Sequence, residues 1–386
     1  MQLGWIDFSR EERNKVLAAL QLLGEHLALD ELGIGYIRDA YADILFPGIS
    51  TIQTRAKYFV LIPYIFGKAE KEKFTRGREV MDWVNRYQDK LVPTLIENSE
   101  LKANGIIGRE ALRQKRTVKN KPTSIYWGGL RTFEIVRNSG LSLSQACQIS
   151  FEKSQKRKET ELLDGDEAYD DKTANQGDQV IFSPILPGYD LENATGIELT
   201  RDEAQFLYGK ITTASKTKNT LMAFMLKEKK HYSGFFEIDT EILPPQIKQD
   251  YLLSRSFADF IEGAHLRYNV IYSGGEDPDM KRGFEDWRTG FDFEKFDADA
   301  VYQRINCPKE TKSFCENFAE LIQSGDMESV DELLVAREKN VKQDRSKLRK
   351  PADFHYKAVH EYKLDFRFFR ASVIMDDILR GLGENV

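Results

Sequence analysis

The stretch that decides the fold covers residues 45–66 and reads LFPGISTIQTRAKYFVLIPYIF. It opens with Phe46-Pro47-Gly48, a turn signal that ends any preceding helix. Ser50 or Thr51 can then cap a new helix that continues to the end of the stretch. Apolar side chains recur along it at helical spacing, namely Ile52, Ala56, Phe59, Val60 and Pro63. The pattern predicts a core helix on which Arg55 is the position with a functional role.

The helical period continues on both sides of this stretch. Ser9 with Glu12, and later Thr200 with Glu203, match the capping-box pattern that begins amphipathic helices. Further helices are expected at 37–45, 76–96, 109–116, 126–138, from 142 onward, and at 257–268, 314–322, 330–335 and 364–382. We therefore predict a mainly α, multi-helical fold with at most a few short strands.

Length and composition suggest a division into several structural parts. A chain of 386 residues exceeds the size at which one hydrophobic core stops growing, about 250 to 300 residues. We expect an N-terminal helical domain over 1–98, a basic helical segment over 99–160 that packs on it, an acidic and Pro/Gly-containing linker over 161–198, and a C-terminal helical domain over 199–386.

The charge of the chain is distributed unevenly. The formal net charge is -6, yet residues 102–158 carry thirteen Lys and Arg against three Glu. A concentrated basic segment can neutralise phosphates, and an exposed aromatic ring beside it can stack on a base. The alternative is that the cations form a solvated face and the rings belong to the core. The candidate nucleic-acid contacts are Arg55, Lys57, Arg109, Arg113, Lys115, Arg116, Lys119, Lys121, Tyr126 and Trp127.

Other features bear on the cellular compartment. No apolar run approaches the roughly 20 residues that span a bilayer, and the first residues lack a signal-peptide pattern. Cys147, Cys307 and Cys315 form neither a CxxC pair nor an even disulfide set, which is typical of a reducing compartment. We expect a cytoplasmic protein with no membrane partner.

Recognisable catalytic motifs are missing from the sequence. His355 and His360 lack the spacing of HExxH, and no phosphate-binding glycine loop or GxSxG turn occurs. Pro278-Asp279 resembles the start of a nuclease site, and Asp279-Met280-Lys281 supplies an acid-x-lysine, but one aspartate cannot serve as both metal-binding carboxylates. Asp277 and Asp279 lie in a Gly/Pro-containing loop, where solvent-facing acids are expected. We therefore expect no cofactor and no metal site, and favour a non-catalytic role.

Several blocks of the sequence resemble an uncharacterised family of bacterial and archaeal proteins of unknown function. They are residues 29–35 with Arg38, Asp39 and Asp43, residues 46–63, Ser124 to Trp127 with Gly129-Leu130, residues 258–269, and Asp377 to Leu382. Where that resemblance leads one to expect a second arginine after Arg55, the chain has Lys57, which cannot make a bidentate phosphate contact. The resemblance implies a role beside helicases and phospholipase-D-like proteins in phage defence, and supplies no catalytic residue.

These observations support a ranked set of functions. The leading hypothesis is a non-catalytic helical subunit of a multi-protein antiviral system, which binds DNA or RNA, a partner such as a helicase or another defence subunit, or both. Two alternatives stay open: a metal-dependent nuclease whose carboxylates come from distant helices, and a scaffold that contacts only protein. The leading hypothesis also predicts that Arg55 and the basic segment face one groove.

Overall fold

The computed structural model describes residues 30–100, 104–116, 118, 120–164, 180–184, 196–350 and 354–385. Within these ranges the chain is mainly α-helical and has no strand of a sheet, with one isolated antiparallel bridge between Val136 and Phe182. The predicted mainly α fold is confirmed. The helix expected after Ser9 lies outside the described residues.

Fourteen α-helices are present in the described part of the chain. They are α1 Gly35–Leu45, α2 Tyr58–Ala69, α3 Gly77–Asn98, α4 Arg109–Arg113, α5 Pro122–Thr132, α6 Leu143–Asp164, α7 Arg201–Thr213, α8 Leu221–Lys227, α9 Pro245–Tyr272, α10 Pro278–Gly290, α11 Ala298–Ile305, α12 Lys309–Ser324, α13 Met327–Lys342 and α14 Phe368–Gly381. Short 3-10 helices cover Phe235–Glu237, Thr240–Ile242 and Gln343–Arg345. Across the described ranges no helix has both the length and the apolar character needed to cross a bilayer.

The chain divides into two compact units, each built from separated parts of the sequence. Unit 1 comprises the residues up to Tyr41 together with 249–366, and unit 2 comprises 42–248 together with 367–386. This division differs from the linear one expected from composition. Each unit combines two ranges that are distant in sequence. Composition along the chain does not show which distant ranges pack together.

Helix α2 lies in the core of unit 2. Phe59 packs against Tyr126 and Phe133 with ring centroids 4.9 Å apart in both cases. Gly129 allows α5 to approach closely, since a Cβ there would lie 2.7 Å from the Phe59 ring and 2.6 Å from the carbonyl oxygen of Gly48. Aromatic pairs of this kind stabilise a core by about 0.5 to 1.5 kcal/mol beyond the area they bury. The predicted core helix is therefore present.

The helix begins later than the capping pattern suggests. Residues 50–57 are not α-helical, and α2 starts at Tyr58. The backbone N–H groups of Thr54 and Arg55 donate to the hydroxyl of Tyr126, and that of Ala56 donates to Asp377. These side chains satisfy the backbone in an irregular conformation, so the segment has no need of helical hydrogen bonds.

Helix α9 carries the aromatic core of unit 1. Phe260 stacks on Phe296 with centroids 4.5 Å apart and an interplanar angle of 11°, and its ring lies edge-on to Phe318 at 5.8 Å. Gly263 lets α10 approach, because a Cβ there would lie 2.3 Å from the Trp287 ring. The indole N–H of Trp287 donates to the carbonyl of Asp259 at 2.7 Å, which fixes the ring on α9.

Candidate nucleic-acid interface

Arg55 lies just before α2, and a buried carboxylate of α14 holds its side chain. Its Nε lies 3.0 and 2.9 Å from the two oxygens of Asp377, and its Nη2 lies 2.8 Å from one of them. Asp377 also accepts the Ala56 amide at 2.8 Å, while Nη1 of Arg55 donates to the carbonyl of Asn104 at 3.0 Å. The planar fork of arginine suits such a bidentate pair. We call this arrangement of Arg55, Asp377, Ala56 and Asn104 the Arg55 node.

Burial and charge act against each other in this pair. Burial raises the pKa of Asp377 above its ordinary value, although Arg55 and the Ala56 amide oppose the rise. Burial also opposes the charge on Arg55, but the hydrogen bonds and charge of Asp377 outweigh it and raise the pKa of the guanidinium. The charge of Arg55 is therefore largely neutralised by Asp377 inside unit 2, and a phosphate would have to compete with this carboxylate for the guanidinium.

Tyr126 supports the same node from inside the core. Its hydroxyl accepts the N–H groups of Thr54 at 2.7 Å and Arg55 at 2.9 Å, and donates to the carbonyl of Arg55 at 2.9 Å. The side chain is fully buried, and this burial raises the pKa of its hydroxyl to about 12. The ring is a core side chain and not an exposed platform for a base, which corrects the prediction.

Trp127 is likewise placed in the core of unit 2. It is 6% exposed, its indole N–H donates to the carbonyl of Leu141 at 3.0 Å, and its ring centroid lies 5.8 Å from that of Phe66. Stacking on a base requires an open ring face. The prediction of an exposed Trp127 is therefore also corrected, and the core alternative raised for both rings is the one observed.

Lys57 is the most deeply buried of the predicted cations that the structure describes. Its side chain is 2% exposed, and Nζ lies 2.8 Å from Glu203, which has no exposed surface. Nζ also donates to the carbonyl of Glu198 at 3.1 Å. Burial lowers the pKa of Lys57, while the charge of Glu203 opposes the fall. A phosphate cannot reach this ammonium, so the predicted contact is corrected to an internal ion pair.

Three further predicted phosphate contacts are Lys121, Arg109 and Lys119. Lys121 lies 2.5 Å from both carboxylate oxygens of Asp89 in α3, and its side chain is 16% exposed. Arg109 is partly exposed at the start of α4 and takes part in an interaction within the protein. Lys119 lies outside the described residues. Neither Lys121 nor Arg109 is a readily available phosphate contact.

Arg113, Lys115 and Arg116 form the exposed remainder, which we call the cationic turn. Helix α4 ends there in a tight turn, with the N–H of Lys115 donating to Leu112 and that of Arg116 to Ala111. Lys115 has a φ of 53°, the left-handed conformation that commonly closes helices. Nη1 of Arg113 lies 3.5 Å from the exposed carboxylate of Glu110. Such an exposed pair adds at most about 1 kcal/mol and is easily exchanged for a phosphate.

An open cleft of about 630 Å³ adjoins the Arg55 node within unit 2. Asn104 and Gly105, at the start of the basic segment, line it together with Arg55. Asn104 and Gly105 are uncharged and the cationic turn is not part of the lining, so the shared groove of Arg55 and the basic side chains stays a prediction. Gly105 has a φ of +83°, and a Cβ there would lie 2.8 Å from Cγ of Arg55.

One face of α14 supplies residues of this cleft that were not predicted. Phe369, Arg370 and Arg380 line it, and Phe369 is 61% exposed. The guanidinium carbon of Arg370 lies 5.0 Å from the centroid of the Phe369 ring. The helical spacing of 369, 373, 376 and 380 places these positions on one face, which is a usable sequence signal. That signal does not reveal that the face meets Arg55.

The acids considered for a nuclease have structural roles in unit 1. One oxygen of Asp277 accepts the N–H groups of Asp279 and Met280 and so caps α10, and the other accepts the hydroxyl of Tyr356 at 2.9 Å. Asp279 pairs with Arg282 on the surface. Among the described residues, no group of three or more His, Cys, Asp or Glu is arranged to hold a metal ion.

Unit 1 also contains a buried polar cluster that the sequence did not indicate. Glu31 accepts from His360 at 2.6 Å and from Lys347 at 2.9 Å, with Lys342 at 3.4 Å. The ring of His265 stacks on that of His360 at 4.3 Å. Nε2 of the buried His265 has no hydrogen-bond partner in the described part of the chain. Burial, followed by the neighbouring His360, lowers the pKa of His265 well below its usual value.

Comparisons with known proteins add a family and no activity. No curated protein and no solved structure matches the chain. A family model matches residues 1–273, which include Arg55, the basic segment and all of α9. Because that match covers more than half of the chain, the chain belongs to DUF6361, a family of unknown function.

Proposed function

We propose that this chain is a nucleic-acid-binding subunit that contacts phosphates through the cationic turn, Arg113, Lys115 and Arg116. The observation that carries the proposal is the contrast between these side chains and the neighbouring candidates. Lys57, Arg55 and Lys121 each form an ion pair with a carboxylate of unit 2. The three residues of the cationic turn are exposed within one turn of the same surface segment.

The physical basis is the release of counterions from a polyanion. Each cation that neutralises a phosphate changes the slope of log affinity against log salt by about 0.7 for single strands and about 0.9 for duplexes. Three contacts therefore predict a slope contribution of about 2 to 3. An overall charge of -6 is compatible with this, since local charge and not the average governs the contact.

The first test is charge reversal of the whole turn. The triple variant Arg113→Glu, Lys115→Glu, Arg116→Glu is expected to weaken binding of a labelled oligonucleotide and to reduce the salt slope by about 2 to 3. Fluorescence anisotropy over a salt series measures both quantities. The exposed positions of these side chains predict an unchanged melting temperature.

The matched control reverses three other exposed cations of unit 2, Lys227, Lys229 and Lys230. It changes the net charge by the same amount. If this control weakens binding as much as the turn variant does, attraction is general and the turn is not the site. If wild-type affinity shows no dependence on salt, the proposal as a whole fails.

The proposal extends to a multi-protein setting. We propose that the bound nucleic acid and a partner such as a helicase are engaged together in antiviral defence, which rests on the resemblance noted from the sequence. Purification of the native protein in high salt tests the partner, because a protein contact with an apolar core survives salt that releases nucleic acid. A partner retained while no nucleic acid is ever found would favour the protein-only scaffold.

A further inference from the structure

We propose that a groove between α12 and α13 of unit 1 binds a basic amphipathic helix of a partner protein. This groove, which we call the hairpin groove, has a volume of about 410 Å³. Its lining includes Glu320 and Leu321 of α12 and Glu332, Leu333 and Ala336 of α13. The inference goes beyond the nucleic-acid contact proposed for unit 2 and does not depend on it.

The apolar stripes of the two helices are wider than the core of unit 1 covers. Phe318 in α12 and Leu334 in α13 are buried. Leu321 and Leu333 extend these stripes sideways and stay half-buried at the groove, and Ala336 is exposed one turn further along α13. A groove with apolar side chains from two packed helices is the surface that the apolar face of a third helix fills.

The charges at the groove all have one sign. Glu320 and Glu332 are exposed, one from each helix, and no Lys, Arg or His belongs to the described lining. Neither carboxylate forms an ion pair in the part of the chain that the structure describes. In contrast, Asp331 beside Glu332 is paired with Arg267 at 2.6 Å. The two groove carboxylates are therefore available to cations of a partner.

Helix α13 also places like charges next to each other at the groove. Glu328 lies one turn before Glu332, and both are exposed without an ion pair among the described residues. Like charges four residues apart on a helix repel each other and destabilise it. A cation placed between these carboxylates removes that repulsion, so a basic partner gains attraction at this edge of the groove.

The sign and shape of the groove select the partner. Its carboxylates repel the phosphates of a nucleic acid, so this surface differs in kind from the cationic turn. The lining residues from Ser329 to Ala336 cover two turns of α13, a length of about 10 Å at 1.5 Å per residue. A partner helix with apolar residues at positions i, i+3, i+4 and i+7 presents a stripe of the same length. Because each helix contributes one glutamate, the fitting partner carries cations on both sides of that stripe.

The test uses a model peptide with this chemistry. A fluorescein-labelled peptide of about 18 residues, with leucines on one helical face and lysines elsewhere, is compared with a scrambled peptide of the same composition. We expect the full-length protein to bind the amphipathic peptide at least about 10-fold more tightly than the scrambled one, with an affinity that falls as salt is added.

Two variants of the groove separate charge from apolar contact. Glu320→Lys with Glu332→Lys should weaken binding of the amphipathic peptide by about 10-fold or more and should remove most of its salt dependence. Leu333→Gln should weaken binding by about 5-fold and keep the salt dependence. Melting temperatures measured by circular dichroism establish that both variants are folded.

The matched control is Glu294→Lys with Glu361→Lys, which reverses two other exposed acids of unit 1 and changes the net charge equally. It should bind the peptide as wild type does. Hydrogen exchange supplies the location, because bound peptide should slow exchange in α12 and α13 and leave that of α10 unchanged.

Several outcomes would overturn the inference. It fails if wild type binds neither peptide or binds both equally, if the control loses as much affinity as the groove variant, or if exchange slows elsewhere instead. It also fails if the groove variants change self-association in sedimentation while peptide binding is kept, since the groove would then join copies of this chain. Oligonucleotide binding measured in parallel reports on the cationic turn alone, so each proposal can fail without the other.

Discussion

Lys57 and Arg55 lie two positions apart, and the geometry of their ion pairs explains why one can face a cleft and the other cannot. Arg55 uses three nitrogens to join a carboxylate and a carbonyl at the edge of unit 2. Lys57 is a point charge enclosed with Glu203. A buried ion pair of this kind adds little net stability, but loss of one partner leaves the other group buried without a counter-charge.

Replacement of Lys57 by Met is therefore expected to lower the free energy of unfolding by about 3 to 5 kcal/mol, because the Glu203 carboxyl group is left buried without its partner cation. Urea unfolding followed by circular dichroism measures this change. The double variant Lys57→Met, Glu203→Gln should recover part of the loss, since no buried charge is left alone. Equal stability of the single variant and wild type would contradict this account.

At the scale of elements, the contact of α9 with α10 depends on a glycine. A Cβ at Gly263 would lie 2.3 to 2.4 Å from three atoms of the Trp287 ring. We expect Gly263→Ala to destabilise unit 1 by about 1 to 3 kcal/mol through overpacking. This exceeds the gain of about 1 kcal/mol that alanine brings to a helix interior.

The matched control is Gly290→Ala at the end of α10, where a Cβ would meet nothing within 4 Å. It should change stability by less than about 0.5 kcal/mol. Thermal denaturation of both variants tests the prediction, and a Gly263→Ala protein that melts at or above the wild-type temperature would show that Trp287 moves aside without strain.

Some helices and helix caps can be predicted from the local sequence. The capping box of Thr200 and Glu203 is present, and α3, predicted at 76–96, is observed at Gly77–Asn98. These features depend on neighbours within one or two turns, which the sequence lists directly. The start of α2 was mispredicted because Tyr126 and Asp377, distant in sequence, bind the backbone of residues 54–56. The predicted exposure of Tyr126 and Trp127 is wrong for a related reason. The sequence shows that these aromatic rings are present, but not which residues pack against them.

At the scale of the whole molecule, the Glu31 cluster predicts how acid acts on unit 1. Burial alone would raise the pKa of Glu31, but hydrogen bonds and charge from His360 and Lys347 outweigh it and hold the pKa well below its usual value. Above pH of about 4.5 the carboxylate is ionised in both the folded and unfolded states, and its stabilisation is complete. As the pH falls through that value, only the unfolded state takes up a proton, so stability is lost.

Glu31→Gln should accordingly melt at a lower temperature than wild type at pH 7, and the gap should narrow as the pH falls below about 4.5. Differential scanning calorimetry across this pH range measures the gap. Glu294→Gln, which removes an exposed carboxylate of the same unit, serves as the control. A gap that stays constant down to the lowest pH would mean that Glu31 does not titrate differently in the two states.

The bond between Arg55 and Asp377 also orders events during synthesis. The two residues are 322 positions apart, so a ribosome adding about 5 to 20 residues per second emits Asp377 roughly 16 to 64 s after Arg55. Throughout that interval the irregular backbone of residues 54–56 lacks the carboxylate that holds it. Until Asp377 emerges, this part of the nascent chain stays accessible to other proteins, and chaperones would be its natural partners.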